Sequence, residues 1–174
     1  GAQVHLVTAN TDLPSMEGIT TTLVETAEQM AAVLELEFPH SDALIMSAAV
    51  ADAKVANYSE EKIRKESLNR VDLAKNPDIL KSLSNSKKSN QIIFGFAAET
   101  SEDLELLEEN GRAKLASKSL DLIYVNNVSN GAVFGSDFTQ GLIIDRNMNV
   151  IKVPEISKDT LSDILLDQLV RKLG

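Results

Sequence analysis

Residues Ser47 to Lys65 hold, within one short stretch, the side chains that nucleotide chemistry requires. Ala48, Ala49, Ala51 and Ala53 are small enough to let a flat ring approach the backbone, and Asp52 can accept hydrogen bonds from an amine or a hydroxyl. Beyond them Lys62, Arg64 and Lys65 can meet phosphate. The stretch begins where the apolar run Asp42–Ser47 ends. In an open α/β sheet, ligands sit outside the carboxyl ends of strands, where loops and helix N-termini converge. The ordinary alternative is a solvated loop in which Asp52 caps a turn.

Charge supports a small polyanion over a polymer. The 174 residues carry a net charge of −9, against the basic footprint that nucleic acid or an anionic membrane demands. Locally the balance inverts: between Lys62 and Lys75 five bases (Lys62, Arg64, Lys65, Arg70, Lys75) face two acids (Glu66, Asp72), a net of +3. The absence of cysteine excludes a disulfide framework and a thiolate metal site, and the cytoplasm is the expected compartment. No run approaches the roughly 18 apolar residues of a membrane span, and no basic-then-apolar leader opens the chain. His5 and His40 are too isolated for metal ligation, and neither GxGxxG nor GxxxxGK[ST] occurs.

The elements that must position these residues follow from periodicity. Length and a hydrophobic content of 43% predict one domain over residues 1–174. Strands are expected at 3–9, 19–25, 42–47, 91–98 and 120–125, with a shorter extended piece at 68–74. Helices are expected from Thr26 as cap to about Phe38, from Asn76-Pro77-Asp78 onward, from Thr100 or Ser101 to about Ser119 with a weak point at Asn110-Gly111, and from Lys158 to Leu173. Residues 142–153 read as an antiparallel hairpin around Asn147-Met148-Asn149. Alternating strands and helices make an α/β fold: a three-layer, mostly parallel, Rossmann-like sheet with an antiparallel C-terminal hairpin.

Six motifs, in order, resemble phosphopantothenoylcysteine synthetase, in many bacteria the C-terminal half of a bifunctional coenzyme A biosynthesis protein. They are Ala48-Ala49-Val50-Ala51-Asp52; Glu61-Lys62-Ile63-Arg64-Lys65; Lys75-Asn76-Pro77-Asp78-Ile79-Leu80; Gly95-Phe96-Ala97-Ala98-Glu99-Thr100; Lys114 through Asp121-Leu122-Ile123 to Asn126-Asn127; and Phe134-Gly135-Ser136-Asp137. The resemblance implies a ligase joining 4′-phosphopantothenate and L-cysteine through an acyl-cytidylate formed with CTP, with Mg²⁺ assisting and a homodimer as the assembly. It leaves CTP against ATP open.

By the same resemblance Asp52 holds the nucleotide, with the Ala48-Ala49 backbone beside the base, and Lys62 serves the triphosphate and the activation step. Arg64 replaces the middle lysine of the family's basic motif, changing a point charge to a fork. Lys75, Asn76, Pro77 and Asp78 form a phosphate-binding helix start, Phe96 lies against the nucleotide, and Lys114 and Lys118 bring cations from one helical face. Taken alone, Asn76 is as well read as a cap, Phe96 as core and the two lysines as solvated. The family opens with a strand, a Gly-Gly-Thr turn and an asparagine-bearing segment that this sequence lacks, so the chain alone is expected to be an incomplete catalyst. Residues 59–71, polar and poor in core-forming side chains, are expected to act as a flap. Two other classes stay open: a non-catalytic nucleotide-binding or regulatory module of the same fold, and a dinucleotide oxidoreductase domain, which the missing glycine fingerprint disfavours.

Overall fold

The computed structural model describes residues 1–9, 14, 16–59, 61–62, 70–101, 103–128 and 136–174. Its strands are β1 (Val4–Ala9), β2 (Ile19–Val24), β3 (Ala43–Met46), β4 (Ala53–Val55), β5 (Leu73–Lys75), β6 (Ile92–Glu99), β7 (Leu122–Asn127), β8 (Phe138–Asp145) and β9 (Val150–Ser157). The helices are α1 (Ala27–Glu37), α2 (Ile79–Ser86), α3 (Leu104–Ser117) and α4 (Lys158–Leu173). Two compact units emerge, one of Gly1–Leu36 with Ala49–Ile79, the other of Glu37–Ala48 with Leu80–Gly174.

The second unit is built on a five-stranded sheet ordered β3-β6-β7-β8-β9. Its first three strands run parallel, with Ile45 opposite Phe94 and Phe96 opposite Tyr124; β8 and β9 add antiparallel, with Ile143 opposite Ile151. The α/β class and the C-terminal hairpin are therefore as expected. Pleating sorts the side chains into three layers. Phe94, Leu122, Tyr124, Ile143 and Val153 form one face and pack with Leu161 and Leu165 of α4. The other face carries α3, whose Gly111 stands so near that an added Cβ would lie 2.6 Å from Val125 Cγ2 and 2.7 Å from Ile144 Cδ1. Burial on both faces explains why β6 reads as an unbroken apolar run, Ile93 and Phe94 being wholly inaccessible.

Helix α3 runs unbroken through Asn110-Gly111, and the missing side chain at Gly111 lets it seat closely. Gly141 is tighter still, for a Cβ there would meet the Val125 carbonyl oxygen at 2.1 Å, and the β8–β9 register shifts between Thr139 and Gly141. The cap of α3 is also corrected to Asp103, whose Oδ1 accepts from Glu105 N at 2.9 Å; the helix ends at Ser117. Helix α4 spans the expected residues, capped by Ser157 accepting from Thr160 N at 3.1 Å, and its last apolar residue, Leu173, is exposed.

At the amino ends of the strands lies a buried polar knot. Asp121, 2% exposed, accepts from Lys87 Nζ at 2.5 Å and from Ile93 N at 2.8 Å through Oδ2, with Arg146 Nη1 3.3 Å from Oδ1. Gln91, equally buried, donates from Nε2 to the carbonyls of Phe38 and Ser41 and accepts from Lys88 N. The hairpin turn is held likewise: Asp145 accepts from the backbones of Asn147 and Asn149 and from Lys172 Nζ at 2.8 Å, while Met148 takes a positive φ of 66°.

The first unit holds two small sheets. β1 and β2 pair in parallel, with His5 Nε2 2.8 Å from Thr22 Oγ1 across them. β4 and β5 pair antiparallel, Ala53 opposite Lys75 and Val55 opposite Leu73. The period-two pattern missed β4, because all three of its residues are exposed and no buried face marks it. Thr26 caps α1 reciprocally with Gln29: Thr26 Oγ1 accepts from Gln29 N, and Gln29 Oε1 accepts from Thr26 N, each at 3.1 Å. The expected flap falls mostly outside the described residues, as do Ile63, Arg64 and Lys65 of the basic motif and Phe134-Gly135 of the last motif.

Two measurements check these contacts. Asp121→Ala leaves a buried ammonium and a strand N–H without their anion, and is expected to lower unfolding free energy by about 3–5 kcal/mol in urea titration; a loss under about 1 kcal/mol would refute the knot. Partial burial works to raise the Asp145 pKa, but the Lys172 hydrogen bond and charge and the Asn149 donors outweigh it and hold the group at about 2 against an ordinary 3.8. A depressed carboxylate stabilises above its unfolded pKa. On the order of 2 kcal/mol should therefore disappear as pH falls from about 4 to about 2, and Asp145→Asn should lack that loss.

Candidate functional site

The residues expected to bind a nucleotide fall into two groups, one in each compact unit. In the first unit, the backbone leaving the small-residue stretch is stitched to the segment before α2. Asn76 N donates to the Asp52 carbonyl at 2.9 Å, and Asn76 Nδ2 donates to the Ala51 carbonyl at 2.8 Å. Immediately beyond, Ala53 pairs with Lys75 in the β4–β5 ladder, and Ala56 N donates to the Asp72 carbonyl. Asp52, Lys75, Asn76, Pro77 and Asp78 thus form one cluster built on backbone hydrogen bonds.

This arrangement corrects the reading of Asn76 as a helix cap. Helix α2 starts at Ile79, so Asn76 and Pro77 precede it, and the carboxamide that would have capped is engaged with Ala51 instead. Its Oδ1 is buried and has no hydrogen-bond partner. The side chains of Ala49, Asp52, Lys62 and Lys75 are exposed, so the Asp52 carboxylate and both ammonium groups face solvent. Lys54 between them is ion-paired with Glu28 of α1, and that hydrogen bond is the main cause holding the Glu28 carboxyl below its ordinary range. Arg70 forks onto Asp72, with Nε 2.8 Å from Oδ1 and Nη2 3.0 Å from Oδ2.

In the second unit, Ala48 follows the carboxyl end of β3 and is exposed, while Phe96 lies toward the carboxyl end of β6. Phe96 is half-buried, stacked on Phe94 with centroids 5.5 Å apart and edge-on to Tyr124 at 5.9 Å. Burial pushes the Tyr124 phenol up, against the effect of its hydrogen bond with Thr139, so it stays protonated and acts as a wall for Phe96.

Lys114 is not simply solvated. It pairs with Glu99, the last residue of β6, whose other oxygen accepts from Asn110 Nδ2 at 3.1 Å. Lys118 stands past the end of α3 as its C-cap, one turn beyond Lys114, and its side chain is half-buried. Sequence reasoning gave Glu99 and Asn110 no role; the signal available was an acid ending an apolar strand and two donors four residues apart on the helix that follows.

Among the described residues, no group of three or more histidines or acids could hold a metal ion. The exposed Asp52 carboxylate is one acid that a cation arriving with a nucleotide's phosphates could meet. No helix among the described residues is long and apolar enough to cross a membrane.

Against this geometry stand the comparisons with known proteins. The family described as DNA/pantothenate metabolism flavoprotein C-terminal domain matches residues 1–173. The coenzyme A biosynthesis bifunctional protein CoaBC of Borreliella burgdorferi is 33% identical over 168 residues, covering 95% of this chain and 41% of that protein. The chain therefore spans about two fifths of that relative's length. Among solved structures, the C-terminal domain of a coenzyme A biosynthesis bifunctional protein CoaBC superposes with a TM-score of 0.79 at 30% identity, covering 99% of this chain and 77% of the other. A Cab2 mutant in complex with phosphopantothenate-cysteine shares the fold, with a TM-score of 0.65 at 17% identity over 89% of this chain and 55% of its own.

The Asn76 stitch has a distinctive signature. Asn76→Ala removes a hydrogen bond together with an unpaired buried acceptor, and is expected to change stability by less than about 1 kcal/mol. Asn76→Asp keeps the acceptors, loses the donor and sets a charge beside two carbonyls, and is expected to be about 1–3 kcal/mol worse. Thermal melts of the two variants decide it, and equal losses would refute the assigned orientation.

Proposed function

We propose, given that this chain belongs to the family of the DNA/pantothenate metabolism flavoprotein C-terminal domain, that it performs the ligation of 4′-phosphopantothenate with L-cysteine in coenzyme A biosynthesis. The observation that carries this reading is similarity along nearly the whole chain to a protein named for that pathway. The phosphopantothenate-cysteine held in complex by the Cab2 mutant is the compound such a ligation makes.

The chemistry runs in two displacements. A carboxylate of 4′-phosphopantothenate attacks the α-phosphorus of CTP, forming an acyl-cytidylate and releasing pyrophosphate. The amine of cysteine then attacks the acyl carbon, loses a proton and expels CMP as the amide forms. Activation is needed because a carboxylate oxygen is a poor leaving group until it is esterified to phosphate. Catalysis consists mainly of positioning the reactants and neutralising phosphate charge.

The residues suit those tasks. The exposed Asp52 carboxylate offers acceptors to the nucleotide's hydroxyl or amino groups, and Ala48 and Ala49 present no bulk against a base. Lys62 and Lys75 are exposed cations for the triphosphate, and the first turn of α2, starting at Ile79, supplies the positive end of a helix. Phe96, held by Phe94 and Tyr124, offers a fixed ring, and Lys114 and Lys118 add cations at the other end of α3. Mg²⁺ bound to the CTP phosphates would supply charge neutralisation for the leaving pyrophosphate. The reading includes a homodimer in the cytoplasm.

The test is pyrophosphate release from CTP on addition of 4′-phosphopantothenate, followed by amide formation on addition of cysteine. It is run on the whole protein that carries this chain. Turnover is expected, and Lys62→Gln is expected to reduce pyrophosphate release by at least about 100-fold with folding intact. CTP binding without any pyrophosphate release would favour the non-catalytic module, and tighter binding of dinucleotides than of CTP would remove the ligase reading.

A further inference from the structure

Lys114 is presented by its neighbours. Glu99 ends β6 at the carboxyl edge of the parallel strands, where an α/β sheet receives its ligands. Its side chain is only 16% exposed, and each of its oxygens meets a donor from α3: Lys114 Nζ at Oε1 and Asn110 Nδ2 at Oε2, the latter at 3.1 Å. Its backbone is fixed as well, since the Glu99 carbonyl accepts from Val128 N at 2.8 Å and the residue stands opposite Asn127 in the β6–β7 register. Lys114, by contrast, remains 45% exposed. One end of the pair is anchored and the other faces solvent.

The approach of the helix depends on its glycine. Gly111 lets α3 press against Val125 and Ile144, and Asn110 and Lys114 flank that contact, one residue before it and three after. Close seating, a buried acid and two donors four residues apart together restrict a long side chain that would otherwise sample many rotamers. An ammonium has three donors; with one given to Glu99, two stay available for an anion.

We propose that Glu99, locked by Asn110, is a positioning residue that holds the Lys114 ammonium for the nucleotide's phosphates. The proposal rests on the nucleotide-dependent reading above and deepens it by naming what orients one of its cations. Two effects oppose each other. The Glu99 charge weakens the field an anion feels, while its hydrogen bond removes the rotamer freedom that binding would otherwise have to quench. With the carboxylate buried and the ammonium already placed, the second effect dominates.

The experiment is a double-mutant cycle on CTP binding, measured by calorimetry on the chain with Mg²⁺, using Glu99→Gln, Lys114→Met and the pair. Glu99→Gln is nearly isosteric. It is expected to weaken CTP about three- to tenfold, and Lys114→Met about tenfold, with the double variant no weaker than Lys114→Met alone. Asn110→Ser, which frees one oxygen, should weaken binding in the same direction and by less, giving a second reading if Glu99→Gln proves unstable in a thermal melt. A merely structural role would lower melting temperature and make the losses additive. Additive losses, or unchanged or tighter CTP binding in both Glu99→Gln and Asn110→Ser, would overturn the proposal and leave the ligase reading standing. Failure of the unmodified chain to bind CTP at all would overturn both.

Discussion

The larger unit depends on a charge that has been taken out of water. Asp121 is almost wholly buried, and a carboxylate in that position is tolerable only because an ammonium, a guanidinium and a backbone amide all reach it. Those partners come from three parts of the chain: Lys87 after α2, Ile93 at the start of β6 and Arg146 at the end of β8. Satisfying one acid therefore fixes where a helix stops, where a parallel strand begins and where a hairpin turns. Gln91 performs the same service for the 3-10 turn and the entry to β3, through the carbonyls of Phe38 and Ser41. Because these polar ties lie at the amino ends of β6 and β7, the carboxyl ends keep their own polar side chains for other work.

Those carboxyl ends divide into two faces. Alternation along β6 turns Phe96 toward the α4 layer and Glu99 toward the α3 layer. The aromatic side is rigid through stacking, and the charged side through a carboxylate clasped by two donors. In the first unit the Ala51-Asp52 backbone is held by Asn76, which leaves the Asp52 side chain exposed. In each case a backbone or buried partner carries the restraint, and the group suited to a ligand is left outward.

Much of this was legible in the residues themselves. Apolar runs such as Gln91–Ala98 and Leu142–Ile144, and the Thr26 cap, carry local signals that survive without tertiary context. What could not be read were decisions made by distant partners. Asn76 has the local chemistry of a cap, and only the Ala51 carbonyl brought beside it by the β4–β5 pairing explains why it does something else. Gly111 looks like a helix breaker until the sheet beneath it is known. Lys114 looks solvated until Glu99, fifteen residues earlier, is folded against it. The motif residues themselves were recognisable from type and order; their partners were set by register and layer packing, which sequence spacing does not encode.

The glycines in and against the sheet differ in what evolution could do about losing them. At Gly95 and Gly111 the atoms that crowd a new methyl are the ends of Leu120, Val125 and Ile144, so shortening one of those side chains elsewhere in the gene could restore room. At Gly141 the obstacle is the Val125 carbonyl, part of the β7–β8 ladder itself. No second-site change of side chain can remove a main-chain oxygen. The first two positions belong to a network in which suppressors can arise and lineages can drift as pairs, whereas Gly141 is a dead end for compensation, constrained by the backbone that every possible neighbour sequence shares.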